Sequence, residues 1–134
     1  MADTIAEMLT GIKNAQRAGK KEVFIPVSNL KFAVAKVLEK EGFIGLVSRE
    51  KINSHEKIKI ILKYYQVSNT KKIPAIKEIR KVSKQGQRIY IKNKEIRNVK
   101  NNFGIAVVST SKGIMTHAEA KKNGLGGEYI CEVW

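Results

Sequence analysis

The chain has one cysteine, Cys131, so no disulfide can form within it. That fits a reducing compartment. Two histidines, His55 and His117, complete a sparse set of soft ligands. With Cys131 they are too few and too scattered for a zinc site. Only two prolines occur, Pro26 and Pro74, and no low-complexity tail or internal repeat is present. No apolar stretch approaches the roughly 18 residues needed to cross a bilayer. The N-terminus shows no basic region followed by an apolar block, so no secretory signal is expected. These absences together read as a soluble, intracellular protein.

Negative charge is also scarce. The 134 residues carry 26 Lys+Arg against 12 Asp+Glu, a formal net charge of +14. Such an excess in so short a chain implies a polyanionic partner: nucleic acid first, an anionic membrane surface second. Residues 1–67 hold 12 basic and 7 acidic side chains and net +5, whereas residues 68–134 hold 14 and 5 and net +9. The footprint leans toward the second half. A membrane-surface helix would need a strongly basic face opposite bulky apolar residues, and the first helix is too weakly basic and aromatic for that.

Catalytic patterns are equally thin. Ser109-x-x-Lys112 has the spacing of a lysine-activated serine, but no Lys-Thr-Gly or Ser-Asp-Asn element accompanies it. The glycines at 124, 126 and 127 are not followed by Gly-Lys-Ser/Thr, so they form no phosphate loop. No paired carboxylates stand in environments of their own. The chain reads as a binding protein, not an enzyme, without cofactor, metal or small-molecule substrate.

Periodicity predicts an α+β fold, as one domain or as two small lobes sharing a core. Residues 1–66 form an α-β-α-β-β lobe, and residues 67–134 a mostly β lobe with short helices and the main binding loop. A helix over 2–18 places Ile5, Met8, Leu9, Ile12 and Ala15 on one face and Lys13, Asn14 and Arg17 on the other. Thr4 and Glu7 have capping-box spacing, with Asp3 another N-cap candidate, and Gly19 ends the helix. Glu22–Pro26 is a strand. Ser28 or Asn29 caps a second helix closed by Gly42. Lys31 in its first turn opposes the helix dipole, a weak hint of an external use. Strands follow over 43–49 and 57–65, joined by a polar loop over 50–56. Residues 66–74 read as the linker between lobes. Beyond it come strands over 75–82 and 87–91 around a turn at 83–86, then a basic helical segment over 93–100 with Ile96 and Val99 inward. Arg88 and Tyr90 share one strand face, an arrangement able to stack on nucleotides.

The last stretch carries the densest signal. Ile105 to Val108 reads as a buried strand that stops at three hydroxyls, Ser109, Thr110 and Ser111, followed by Lys112 and Gly113. Strand side chains alternate faces, so some hydroxyls must point out beside a cation and a glycine. That surface suits a phosphate backbone and base edges. Thr116 and Glu119 repeat the capping-box spacing, the helix they open ends at Asn123-Gly124, and Glu128–Trp134 is a closing, alternating strand.

At Ser109-Thr-Ser-Lys-Gly-Ile-Met-Thr116 the sequence resembles the bacterial-type ribosomal protein S8 family of the small subunit, nearly end to end. Further matches are Asp3–Thr10, Ile12-Lys-Asn-Ala15, Ile25–Lys31, Glu39–Ile44, Val82–Tyr90, Gly124-Leu-Gly-Gly-Glu128 and Val133-Trp134. The resemblance implies two packed α+β lobes and direct binding to the central domain of small-subunit rRNA, where the protein organises the platform during assembly. It implies a cytoplasmic location in the small ribosomal subunit, or in an organellar ribosome, and ribosomal proteins S5 and S12 as neighbours. Carried over, Ser109, Thr110 and Ser111 bond bases and sugars. Lys112 and Gly113 flank the backbone, with Gly126, Gly127 and Glu128 close behind, and Arg88 and Tyr90 extend the surface. Asp3, Thr4, Asn14 and Lys31 touch a second RNA helix. The sequence departs from the family at Gln85, where proline is usual, and at His117, where aspartate is usual. The lost negative charge at 117 is expected to favour a nearby phosphate backbone slightly.

Overall fold

The computed structural model describes residues 4–84, 86–99 and 103–134, with Thr4 by its backbone alone. In chain order the elements are α1 (Thr4–Arg17), β1 (Glu22–Pro26), α2 (Asn29–Lys40), β2 (Val47–Ile52), β3 (His55–Ile61), β4 (Tyr64–Gln66), β5 (Lys72–Pro74), β6 (Ile79–Lys81), β7 (Tyr90–Ile91), a 3₁₀ turn (Asn93–Glu95), β8 (Ile105–Thr110), β9 (Gly113–Thr116), α3 (His117–Lys122) and β10 (Gly127–Val133). The chain is an α+β protein.

Three antiparallel sheets form. The first has the order β1-β3-β2. The Lys-Ile alternation of β3 sends Ile58 and Ile60 fully into the core and leaves Lys57 and Lys59 on the wetter face, as the period of two requires. The expected polar loop over 50–56 is mostly ladder: β2 and β3 pair out to Ile52 opposite His55. Asn53 and Ser54, at φ 52° and 69°, close a two-residue turn, and positive φ at both central residues matches the strand twist. The expected linker is a second sheet, the hairpin β4–β5, with Tyr64 opposite Pro74 and Gln66 opposite Lys72. One buried cluster runs across that stretch, from Ile5, Met8 and Val34 through Ile58 and Ile60 to Ile76, Val107 and Val133.

The third sheet is built on β10. Strand β8 pairs along one side of it, β7 and β6 share the other, and β9 pairs with β8. The expected strands over 75–82 and 87–91 shrink to Ile79–Lys81 and Tyr90–Ile91. Lys77 and Glu78 instead turn their N–H groups to the Trp134 carbonyl, at 2.6 and 3.0 Å. Likewise, among the described residues 93–99, only Asn93–Glu95 are helical, although Ile96 and Val99 are buried as expected. Strand β10 does not alternate strictly. A bulge between Tyr129 and Cys131 lets both Ile130 and Cys131 enter the core, because the extra residue resets the face. Burial pushes the Cys131 thiol up to about 12, which leaves it a packing residue.

Among the described residues, α1, α2 and α3 each end with the two bonds of a Schellman closure. At α2, Gly42 donates to Glu39 O and Phe43 to Leu38 O, at 3.1 and 3.0 Å. Ser28, one of the two expected caps, holds the start of α2 by accepting from Lys31 N at 3.1 Å. Buried Gln16 ties α1 to the segment before β6 by donating to Ile76 O at 3.1 Å.

His117 is part of the interior. It is only 6% exposed, and its Nδ1 accepts the Ala106 N–H at 3.0 Å. The ring serves β8, not a phosphate backbone. Thr116 still caps α3 by accepting from Glu119 N at 3.2 Å. Burial holds the imidazole pKa below its ordinary 6.5, and an Nδ1 that accepts must be unprotonated. The folded state therefore binds fewer protons than the unfolded chain. The stability this residue contributes is complete above about pH 6.5 and falls as pH drops through the depressed folded value. Urea unfolding at pH 7.5 and 5.0 should show a falling midpoint for the native sequence. In His117→Asn, whose amide oxygen can accept the same N–H, the fall should be much shallower.

Candidate nucleic-acid interface

Strands β8 and β9 meet in a two-residue turn. Thr110 pairs with Gly113, leaving Ser111 and Lys112 at the tip, and both are exposed. Gly113 sits at φ +115°, a conformation that side chains disfavour. Thr110 builds the turn: its hydroxyl donates to Gly113 O at 2.8 Å and accepts from Lys112 N at 3.1 Å. Among the described residues, the hydroxyls of Ser109 and Ser111 make no side-chain hydrogen bond, and Lys112 has no ion pair. The three adjacent hydroxyls thus divide. One is spent on local structure, and the two serines remain available.

The sheet sets a row beside that turn. Tyr90 on β7 pairs with Glu128 on β10, Glu128 with Ser109 on β8, and Ser109 with Ile114 on β9. Directly paired positions share a face, so one surface collects Tyr90, Glu128 and Ser109. Arg88, two residues before Tyr90, joins them. Its Nη1 donates to Glu128 Oε2 at 3.3 Å. Tyr90 is 70% exposed, the openness a stacking platform needs.

Glu128 acts inward as well as outward. The same Oε2 accepts from Ser83 Oγ at 2.6 Å, and fully buried Ser83 in turn accepts from Ile89 N at 3.2 Å. An exposed ion pair contributes only about 0–1 kcal/mol. The weight of this network lies in position: Ser83 and Glu128 fix the approach to β7, and hence where Arg88 and Tyr90 stand. Neither Ser83 nor Asn93 was singled out in the sequence. Asn93 extends its amide to the carbonyls of Ala120, Lys121 and Leu125 at 3.1, 3.3 and 3.0 Å. It thereby holds the end of α3 and the glycine turn against the 3₁₀ segment. Each is a lone polar residue in a polar stretch, with no periodic signal to mark it.

Gly126 and Gly127 earn their places by close approach. A Cβ on Gly127 would lie 2.0 Å from Ser109 O, and one on Gly126 would lie 2.5 Å from Ile91 O. Only glycines let β10 enter between β7 and β8 at that separation. They are spacers for the surface, and Glu128 is its strut.

The remaining expected contacts lie on the helices. Asn14 is exposed on α1. Lys31 departs from its expected outward role: it is 6% exposed, and its Nζ donates to Pro26 O at 3.2 Å. The helix start tolerates this cation because a carbonyl at the end of β1 receives it. Asp3 and the Thr4 side chain lie outside the described residues, as does Gln85. Among the described residues no group of three His, Cys, Asp or Glu is placed to hold a metal ion. No helix among them is long and apolar enough to cross a membrane.

These features define a class, a basic α+β protein that displays a hydroxyl-rich hairpin beside an aromatic-cationic strand. The chain belongs to the ribosomal protein S8 family, whose model, described as Ribosomal protein S8, matches residues 3–134. It is 47% identical to the small ribosomal subunit protein uS8 of Persephonella marina, across all of this chain and 99% of that one. The corresponding protein of Geobacter metallireducens is 45% identical across 100% and 98%, and that of Vesicomyosocius okutanii 43% across 100% and 98%. The family is one of structural ribosomal proteins, so the chain is not an enzyme.

The spacer role of Gly127 is testable. Gly127→Ala should lower stability by about 1–3 kcal/mol, the ordinary cost of overpacking. Thermal denaturation would measure the loss. A variant as stable as the parent would show that β10 can move off Ser109 freely.

Proposed function

We propose that this chain is a primary binder of the central domain of small-subunit rRNA and that it organises the platform of the small subunit during assembly. Its place is then in the small ribosomal subunit in the cytoplasm, with ribosomal proteins S5 and S12 as neighbours. The observation that carries the reading is the division of hydroxyls at the β8–β9 turn. Thr110 is consumed in shaping it, while Ser109 and Ser111 keep their donors and acceptors beside exposed Lys112.

The mechanism follows from the types of group. Lys and Arg supply affinity by releasing counterions from the phosphates, which makes binding salt-dependent. Short hydroxyls and backbone groups on a rigid turn read an unpaired, splayed region of RNA and its 2′-hydroxyls. Tyr90 offers a ring for a base, and Arg88, steadied by Glu128, a planar cation. Gly126 and Gly127 let the RNA-facing strands close up, and Gly113 clears the side of the turn. Asn14, Asp3, Thr4 and Lys31 would serve a second RNA helix. For Lys31 that service runs through its hold on Pro26.

A filter-binding titration tests this, with a central-domain rRNA fragment against a scrambled duplex of equal length at two salt concentrations. Tight binding to the fragment alone is expected. Ser109→Ala or Ser111→Ala should weaken it by about 1–3 kcal/mol, the cost of leaving an RNA group unpaired. Lys112→Ala should mainly flatten the salt slope, by about one unit. Equal binding to both RNAs, indifferent to the serines, would reduce the chain to a generic basic protein.

A further inference from the structure

Strands β4 and β5, read from sequence as a linker, stand against the end of α1 and enclose a cleft of about 480 Å³. Gln16, Arg17, Tyr64, Thr70, Lys71 and Lys72 line it, and among the described residues no carboxylate does. Elsewhere many cations are matched: Lys36 with Glu39, Arg49 with Glu56, Lys59 with Glu22 and Glu50, Arg80 with Glu132. Among the described residues Arg17, Lys71 and Lys72 have no ion pair. Lys13 grips Glu78 and holds its carboxyl below the ordinary range, with the Ile79 N–H helping, and Arg17 adds only the weakest share of that lowering.

The cleft is built, not floppy. The Tyr64 hydroxyl donates to Lys20 O at 2.6 Å, pinning the hairpin to the exit of α1. Lys72 Nζ stands 4.9 Å from the Tyr64 ring centre. The Ser68 hydroxyl accepts from Lys71 N at 3.1 Å, and the Lys71 carbonyl accepts from the N–H groups of Val67 and Ser68 at 3.0 and 3.2 Å. These bonds order the tip and set Lys71 directly before Lys72, the first residue of β5. A guanidinium and two ammoniums around a concavity, beside an aromatic ring, match a phosphodiester strand and leave its charge unopposed.

We infer that this cleft is a further RNA-binding site, one that takes the phosphate backbone of an rRNA strand between Arg17 on α1 and Lys71 and Lys72 on the β4–β5 hairpin. It shares no residue with the β8–β9 turn and belongs to a different sheet. The inference rests on the proposed rRNA-binding reading for the identity of the polyanion. The site reads charge and spacing, so it adds affinity and orientation, not sequence selectivity.

The test uses the full chain with Arg17, Lys71 and Lys72 changed together to Ala. All three are exposed, so the thermal midpoint should hold within a few degrees. On complete small-subunit rRNA the plot of log K against log salt should lose about two units of slope. An unchanged slope overturns the inference. Independently, a photoreactive phenylalanine at Thr70 should crosslink to rRNA in assembled small subunits. Crosslinks to protein alone, or none, overturn it as well. Ser111→Ala measured in parallel separates the two readings. If only Ser111→Ala weakens binding, the β8–β9 turn stands and the cleft falls. If only the triple variant does, the cleft stands and the turn falls.

Discussion

Strand β10 can enter the sheet only because residues 126 and 127 have no side chains. At that entrance the backbones of Ser109 and Ile91 come so near that any Cβ would meet a carbonyl oxygen. The approach sets the pairing of Glu128 with both Ser109 and Tyr90, and that pairing gathers residues some forty positions apart onto one face. From there order spreads outward. Glu128 fixes Ser83 and Arg88, Thr110 folds the turn, and Asn93 holds α3 against the glycine segment.

The charge of the chain divides between two uses. Some of its cations serve folding, paired with carboxylates across strands and helices or, like Lys31, bonded to a backbone carbonyl. Such pairs contribute little each when exposed, and the net +14 is what remains after every carboxylate has been counted. A few others are held outward on tight turns. The β8–β9 tip and the β4–β5 hairpin use the same device: a hydroxyl, Thr110 or Ser68, bonds a backbone N–H and stiffens the turn that carries the lysines. Stiffness lowers the ordering cost of meeting a polyanion.

Much of this was legible in the residues. Helical spacing of Ile5, Met8, Leu9 and Ile12, the caps at Ser28 and Thr116 and the glycines at 42 and 124 are local signals, and the helices stand where they point. The break after the apolar run at Ser109–Gly113 likewise marks the strand end and turn that the structure holds there. The α+β class and the S8 family were open to a reading of motifs alone. By contrast, the linker over 66–74 became a hairpin, and the loop over 50–56 became ladder. Polar composition reports exposure, and an edge hairpin is as exposed as a loop.

The sequence by itself determined which segments are apolar on one face, where helices start and stop, and that the chain seeks a polyanion. Those properties depend on neighbours three or four residues away. The tertiary structure alone decided which polar groups are free. The sequence shows three equivalent hydroxyls, but the fold engages Thr110 in the turn and leaves Ser109 and Ser111 available. It shows Lys31 as a candidate outward group, but the fold buries it against a carbonyl at the end of β1, as it buries His117 against the Ala106 N–H. Availability is a property of what a side chain meets across the fold, and a partner supplied by another strand leaves no mark at short range.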